Sequence, residues 1–323
     1  MFIYFTMTLL FLVFLFVVGL MLLIKASDSL IPKLKELGVI LGVSELTIGM
    51  TVTAIGTSIP EIATSLTGTI SGAPKIVVGT IYGSNIVNLS LILGLVLLLN
   101  VSKYEIKKRD LVVLVISMVL LILVSMNGVV TKIEGLIMVA GFAFYFWVRY
   151  LADVFNPLDW FFRKKFAKKQ ISIKPRATVL LVLQVFFYIF LILIGAKILV
   201  GSAVGISDEL KISRYLIGVI VVAIGTSLPE LAVSITSMKK GAMGISVGNL
   251  IGGNITNPLL ALGSGALIRD IVFNENLVID TIFLVAITLF AASVLWRNTE
   301  DTRNAGWILL LTYGIFLVMK LIM

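Results

Sequence analysis

The sequence predicts an all-α polytopic membrane protein in which ten transmembrane helices form two inverted-topology five-helix repeats, with helices 2 and 7 broken at the core. Three observations support this fold class. Apolar residues make up 59% of the 323 residues and charged residues only 13%, whereas a soluble domain carries about a quarter charged residues. Ten apolar runs are each long enough to cross a bilayer, which takes about 20 residues. Residues 46–94 also align without gaps with residues 215–263.

The ten apolar runs give the predicted spans. They cover residues 2–25, 43–70, 76–100, 109–127, 131–152, 177–202, 212–238, 243–268, 277–296 and 304–322. The first run has no basic segment before it and no small-residue cleavage site, so we expect a retained span rather than a signal peptide.

The placement of the 26 Lys and Arg residues predicts the orientation. When the loops are numbered alternately, 19 of these cations fall on one side and 7 on the other. By the positive-inside rule the rich side is cytoplasmic, which puts both termini outside the cytoplasm. We expect an integral protein of the cell (plasma) membrane. Because the cations flank spans instead of forming one basic domain, nucleic-acid binding is not expected.

The spans divide the chain into three regions. Residues 1–153 form the first five-helix repeat, 154–176 a cytoplasmic basic linker, and 177–323 the second, inverted repeat. Aromatic residues interleave with the lysines of the linker, which is either an orienting loop with aromatic anchors or a short amphipathic helix on the inner membrane surface.

The internal repeat is the most informative feature. About half of the aligned pairs are identical, far more than shared apolar composition gives. Residues 56–61 read Gly-Thr-Ser-Ile-Pro-Glu and residues 225–230 read Gly-Thr-Ser-Leu-Pro-Glu. Each copy covers the second and third span of a five-span half. Because five is odd, the second half enters the membrane upside down, as in many secondary transporters.

Glu61 and Glu230 are the acidic residues that sit deep inside apolar runs. A charge at mid-bilayer costs about 2.5–3.5 kcal/mol on insertion scales, so such a residue is retained when something binds it. Lysine and arginine are absent from the neighbouring parts of these spans. The sequence therefore indicates a mobile cation as the counter-charge.

Oxygen-bearing side chains surround both glutamates. On a helix, Thr57 and Ser58 share a face with Glu61, and the second copy repeats this arrangement. On the span that follows each motif, Ser84 and Asn88 are four residues apart, as are Gly253 and Asn257. Pro60 and Pro229 lack an N–H and break the helical bonding beside each acid.

These groups form an all-oxygen site, which suits hard cations such as Ca²⁺ and Na⁺. With no cysteine and no histidine in the chain, and no nucleophile paired with a base, we expect no enzyme activity. Another interpretation stays open, because Ser58-x-x-Glu61 and Ser227-x-x-Glu230 both fit the capping-box pattern. Each glutamate would then close a broken helix.

With these motifs the chain resembles the sodium/calcium exchanger family of the cation/calcium antiporter superfamily. The resemblance rests on the two Gly-Thr-Ser-x-Pro-Glu copies, each followed by a Gly-Ser-Asn-like segment, and extends over all ten spans. It implies a ten-helix inverted-repeat fold with four cation sites. Carried over by position, the metal-binding residues are Glu61 and Glu230, the carbonyls of Thr57 and Thr226 for Ca²⁺, then Ala54, Ser58, Ala223, Thr226, Ser227 and Ser84 for Na⁺, with Asn88 and Asn257 in the centre.

Two positions depart from the family pattern. Gly253 stands where the first copy has Ser84, so one sodium site lacks a hydroxyl. Asn257 stands where potassium-dependent relatives carry Asp, which makes potassium coupling unexpected and leaves two carboxylates in the centre.

The resulting hypothesis is a secondary active antiporter that exchanges Na⁺ for Ca²⁺ by alternating access and moves net charge. The ions are substrates, no cofactor is expected, and the bilayer is the sole partner implied. A proton-coupled Ca²⁺ or cation exchanger is the main alternative, and a cation channel is a second. Spans one and six are the expected gating helices.

Overall fold

The computed structural model of the chain describes residues 2–40, 55–99, 106, 108–154, 175–239, 243–297 and 302–322. Most of the predicted linker, the first part of the predicted second span and Ala54 lie outside these ranges. The described chain is mostly helical, with one short two-stranded ribbon.

The first three helices lie within residues 2–99. They are α1 (Phe2–Ile40), α2 (Ile59–Ile70) and α3 (Pro74–Leu99). The next three are α4 (Lys108–Ser125), α5 (Lys132–Val154) and α6 (Pro175–Leu210). The later part contains α7 (214–226), α8 (Leu228–Lys239), α9 (243–268), α10 (Val278–Arg297) and α11 (Arg303–Ile322).

The helix bounds follow the predicted spans to within a few residues for α3, α4, α5, α9, α10 and α11. The largest difference is at the first and sixth spans, whose helices continue well past the predicted ends, to Ile40 and Leu210. Both extensions carry charged residues, which mark where an apolar run ends but do not end a helix.

Six helical segments of the described chain are long and apolar enough to cross a membrane. They are Met7–Lys33, Pro74–Leu99, Thr178–Leu210, Arg214–Lys239, Val278–Arg297 and Arg303–Ile322. Large apolar side chains cover much of the outer surface; Phe11, Phe14 and Phe186 are each at least 60% exposed. An outer surface of this kind matches hydrocarbon rather than water, so the chain is an integral membrane protein.

Two helices are interrupted beside a proline. Ser58 and Ser227 have φ near −85° and ψ near 0°, outside the helical values. Pro60 and Pro229 follow two residues later, in the first turn of α2 and α8, where a missing N–H removes no helical hydrogen bond. The interruptions thus place Glu61 and Glu230 in the first turn of a helix.

Close glycine contacts bring α3 against α7. A Cβ atom added to Gly79 would lie 2.6 Å from the Tyr215 carbonyl oxygen, and one added to Gly218 would lie 2.7 Å from the Ile76 carbonyl oxygen. Both distances are shorter than real carbon contacts, so any side chain here would push the backbones apart. This approach positions Ser84 of α3 beside Thr226 of α7.

Helices α1 and α6 form a second packing unit. They pack along each other, and a Cβ atom on Gly19 would lie 2.7 Å from the backbone nitrogen of Leu199. Their buried faces form an apolar cluster with Ala63 and Ile76, separate from the larger cluster of α3, α4, α9, α10 and α11. The fold therefore has a two-helix layer against a larger helical core.

A short ribbon links the two halves at one end of the bundle. Strand β1 (Val129–Val130) pairs antiparallel with β2 (Ile271–Val272). Beside it, Lys75 and Glu275 form an ion pair at 2.6 Å. The strand pairing joins the turn after α4 to the turn after α9, and the ion pair joins the turn after α9 to the start of α3.

Candidate cation site

The site lies where the two helix breaks meet. Glu61 and Glu230 are both fully buried. Ser58, at the break before α2, donates a hydrogen bond of 3.5 Å from its hydroxyl to Oε1 of Glu230, which lies 172 residues further along the chain. The break of the first copy therefore faces the carboxylate of the second.

The reverse contact is present on the other side. The hydroxyls of Thr226 and Ser84 lie beside the Glu61 carboxylate and are 3.3 Å from each other. The Thr226 hydroxyl also donates to the Ala223 carbonyl oxygen at 3.4 Å. The opposite copy of the motif thus places hydroxyls beside each glutamate, Thr57 and Ser58 beside Glu230 and Thr226 beside Glu61, and Ser84 adds one from the same half as Glu61.

Asn88 and Asn257 contribute the amides. Each is fully buried and stands at the start of a π-helical segment, Val87–Ile92 in α3 and Asn257–Leu262 in α9. Single π turns inside α-helices often occur at functional sites, because they turn one residue out of register. In both helices an asparagine lies in the first turn of the π segment.

Gly253 lies between these groups. A Cβ atom built on it would lie 3.5 Å from Ser58 Oγ, 3.7 Å from Asn88 Nδ2 and 3.8 Å from Glu230 Oε1. These are ordinary contact distances, so the absence of a side chain leaves space in the centre of the site. The structure thus brings Ser58, Asn88 and Glu230 around the position where the sequence lacks a hydroxyl.

Many polar atoms of the site have no hydrogen-bond partner within the part of the chain that the structure describes. They are both carboxylate oxygens of Glu61, Oε2 of Glu230, both amide atoms of Asn88 and of Asn257, and the Ser227 hydroxyl. Buried polar atoms are normally paired, and each unpaired one costs about 1–3 kcal/mol. A desolvated hard cation would supply the missing partner for the oxygens among them.

The electrostatics of the site favour cations. The two carboxylates are close enough to repel each other. None of the ion pairs found among the described residues involves Glu61 or Glu230. The same residues contain no cluster of three or more His, Cys, Asp or Glu that could hold a metal ion.

The capping-box interpretation does not hold. Ser58 makes no side-chain bond to the end of α2, and the Ser227 hydroxyl has no partner in the described chain. Ser58 instead donates to Glu230 across the site, and neither carboxylate oxygen of Glu61 has a hydrogen-bond partner in the described chain.

The structure buries ten of the eleven residues that the sequence predicts to bind metal, Asn257 and Ser227 among them, and Ala54 lies outside the described ranges. Thr57 is buried and donates a hydrogen bond of 3.1 Å to Oδ1 of Asn249. Sequence reasoning missed Asn249. Its signal was the spacing, because Asn249, Gly253 and Asn257 follow one another at four-residue intervals on one helix face.

A second correction concerns Asp280 in the first turn of α10, because the sequence singles out Glu61 and Glu230 alone as acids deep inside a span. The structure buries it completely, with Oδ2 at 2.6 Å from Nζ of Lys320. Lys320 also lies 5.1 Å from the centre of the Tyr215 ring. Asp280 is therefore a third fully buried acid of the described chain, but a lysine neutralises it.

Comparison with known proteins identifies relatives of the whole chain. The family model described as "Sodium/calcium exchanger protein" matches residues 11–151 and 180–322. The sodium/calcium exchanger MaX1 of Methanosarcina acetivorans is 32% identical over 93% of this chain and 95% of its own length. The inner membrane protein YrbG of Escherichia coli is 30% identical over 94% and 95%. The putative antiporter CaxA of Alkalimonas amylolytica is 35% identical over 78% and 79%.

Solved structures of the sodium-calcium exchanger NCX_Mj have a similar fold. One of them, soaked with 100 mM Na⁺ and 10 mM Sr²⁺, superposes with a TM-score of 0.62 at 29% identity, covering 96% of this chain and 98% of the other. Another, soaked with 2.5 mM Na⁺ and 0.1 mM Ca²⁺, gives a TM-score of 0.61 at 28% identity.

Proposed function

Because the chain belongs to the sodium/calcium exchanger family, we propose that it exchanges Na⁺ for Ca²⁺ by alternating access at the buried site between Glu61 and Glu230. The family makes it a calcium-transporting antiporter of the membrane, not a member of an enzyme family. Sodium as the coupling ion, the site residues and the movement of net charge are the parts we propose.

One observation carries the proposal. Two fully buried carboxylates face hydroxyls and amides with three of their four oxygens unpaired in the described chain, and with no cationic side chain in contact. A purely structural role would pair such groups, because a lone charge in the membrane is costly. Oxygens that bind a transported cation need no other partner.

Competition for these oxygens couples the two fluxes. The ionised glutamates contribute two negative charges, which one Ca²⁺ neutralises, whereas three Na⁺ leave one net positive charge. Because both loads need the same carboxylates, the ions exclude each other. We infer three Na⁺ for one Ca²⁺, with one net charge moved in each cycle.

The architecture we propose for this cycle is two inverted five-helix repeats, residues 1–153 and 177–323, joined by the basic linker 154–176. The cross-supply of hydroxyls, Ser58 to Glu230 and Thr226 beside Glu61, supports a two-fold relation between the copies. The separate layer of α1 and α6 supports gating helices that slide on a rigid core.

The orientation and compartment of the protein rest on the distribution of its lysines and arginines. We propose a location in the cell membrane with both termini outside the cytoplasm, the side poorer in these cations. The loops between the halves and after α3 would then face the cytoplasm.

The test is uptake of radioactive calcium into proteoliposomes loaded with sodium, in a sodium-free external buffer, with an ionophore to clamp the voltage. Uptake that requires internal sodium supports the proposal. Equal uptake driven by a pH gradient without sodium would support the proton-coupled alternative. Single-channel currents far above carrier turnover, with no need for a counter-ion, would support a channel.

A further inference from the structure

Asn249 of α9 contacts the site but belongs to neither copy of the Gly-Thr-Ser-x-Pro-Glu motif. It is 3% exposed. Its Oδ1 accepts the 3.1 Å hydrogen bond from the Thr57 hydroxyl, and its Nδ2 has no partner among the described residues. Asn249 thus links α9 to the residue directly before the break at Ser58.

The internal repeat explains why this contact exists. Ser84 and Thr226 lie with their hydroxyls 3.3 Å apart. Applying the repeat to this pair gives Gly253 and Thr57. Glycine has no hydroxyl, so the equivalent bond cannot form, and Thr57 donates instead to Asn249, one helical turn before Gly253.

The first copy does not use the equivalent position. Thr80 is the counterpart of Asn249, and its hydroxyl donates to the Ile76 carbonyl of its own helix at 2.8 Å. In the first half, Ser84 therefore contacts the threonine of the opposite copy, Thr226. In the second half, Asn249 contacts Thr57. The two sides of the site achieve the same contact with different residues.

We propose that Asn249 is a positioning residue of the cation site, which orients Thr57 in place of the hydroxyl that Gly253 lacks. This inference rests on the proposed function, in which the Thr57 carbonyl binds Ca²⁺. Thr57 lies directly before the break at Ser58, where regular helical bonding is interrupted. Its hydrogen bond to Asn249 of α9 therefore fixes the orientation of Thr57. Removing that contact weakens calcium binding without removing a ligand.

The proposal predicts that a serine at position 253 can make the contact with Thr57 that Asn249 now makes. There is room for its Cβ, which would meet Ser58 Oγ at 3.5 Å. We expect Asn249→Ala to raise the half-saturating calcium concentration about three- to tenfold, the effect of one lost hydrogen bond, with little change in maximal rate. In a Gly253→Ser background the same substitution should change it less than about twofold.

The matched control is Asn254→Ala. Asn254 is a buried asparagine of the same helix whose Nδ2 donates to the Leu250 carbonyl at 2.8 Å, so its effect should not depend on the residue at 253. If Asn249→Ala lowers protein yield, Asn249→Thr, which copies the first half, provides a second variant.

Two results would overturn the proposal: an Asn249→Ala effect of equal size in both backgrounds, or no effect at all. The shift of melting temperature that added calcium causes in the purified protein gives a readout without transport. Were the wild type to show this shift but no sodium-driven uptake, the proposed function would fail, and the rescue by Gly253→Ser would still decide the role of Asn249.

Discussion

At the scale of single residues, the protein buries charge without neutralising it within its own chain. Glu61 and Glu230 are as deeply buried as Asp280, but Asp280 has Lys320 at 2.6 Å and the two glutamates have hydroxyls and amides. Buried acids of this protein thus have two kinds of surroundings, which fit a structural role for Asp280 and the proposed ion-binding role for the two glutamates. A fixed cation makes a structural pair, whereas the lack of one leaves ligands for an ion that must leave again.

Glu61→Gln and Glu230→Gln should each abolish sodium-driven calcium uptake. The amide keeps the size of the side chain but removes one of the two charges that balance Ca²⁺. Loss of one buried charge partner costs about 2–5 kcal/mol, or at least about thirtyfold in affinity. Uptake into sodium-loaded vesicles measures this, with Glu209→Gln at the end of α6 as the control. Normal uptake by either site variant would contradict the assignment.

Asn257→Asp should make calcium–calcium exchange sensitive to voltage. With two carboxylates the calcium-loaded site is neutral, so exchange of Ca²⁺ for Ca²⁺ moves no net charge. An added ionised carboxylate gives that state one negative charge, and a potential of 100 mV then acts on it by about 2.3 kcal/mol. The measurement is the rate of calcium exchange in sodium-free vesicles at clamped potentials and alkaline pH. A wild type that already responds to voltage would contradict the count of two charges.

At the scale of helices, breaks and close contacts decide where these residues meet. Prolines in the first turn of α2 and α8 follow the breaks at Ser58 and Ser227. Glycines let the backbones of α3 and α7 approach closely. A Cβ atom added to Gly79 or Gly218 would lie only 2.6–2.7 Å from a carbonyl oxygen of the other helix. Asp280 of α10 and Lys320 of α11 join the last two helices beside Tyr215 of α7.

Lys320→Met should destabilise the protein by about 3–5 kcal/mol, because it leaves Asp280 charged and buried without a partner. Lys320→Met combined with Asp280→Asn should recover most of that loss, since no buried charge remains. Thermal unfolding of the detergent-solubilised protein checks both variants.

The ion pair between Asp208 and Arg214 provides the matched control for this comparison. It is 3.0 Å long but exposed at the surface, where such pairs contribute about 0–1 kcal/mol. Arg214→Met should therefore shift the unfolding temperature only slightly. A shift as large as that of Lys320→Met would mean that burial does not determine the effect.

At the scale of the whole molecule, a two-helix layer of α1 and α6 packs on a larger core that holds the site. The core supplies every one of the described site residues, whereas the layer supplies none. A division of this kind suits a cycle in which the site stays fixed and the layer opens one side at a time.

Transport by the whole molecule should be electrogenic. With one net charge moved per cycle, an inside-negative potential opposes the step that carries the net positive charge out of the vesicle, by about 2.3 kcal/mol for each 100 mV. Calcium uptake into sodium-loaded vesicles should therefore be faster when the vesicle interior is held positive by potassium and valinomycin. Uptake that ignores the imposed potential would exclude the three-sodium stoichiometry.

The amino-acid sequence determined the membrane class, the helix bounds of most spans, the position of both breaks and the two buried glutamates beside them. Each of these depends on composition, on local proline chemistry or on the repeat, which are readable along the chain. Only the tertiary structure decided which hydroxyl faces which carboxylate, that Thr57 bonds to Asn249, and that Lys320 neutralises Asp280. Those contacts join residues 40 to 192 positions apart. Periodicity gives the face on which a residue lies, but the packing of backbones against each other decides what that face meets.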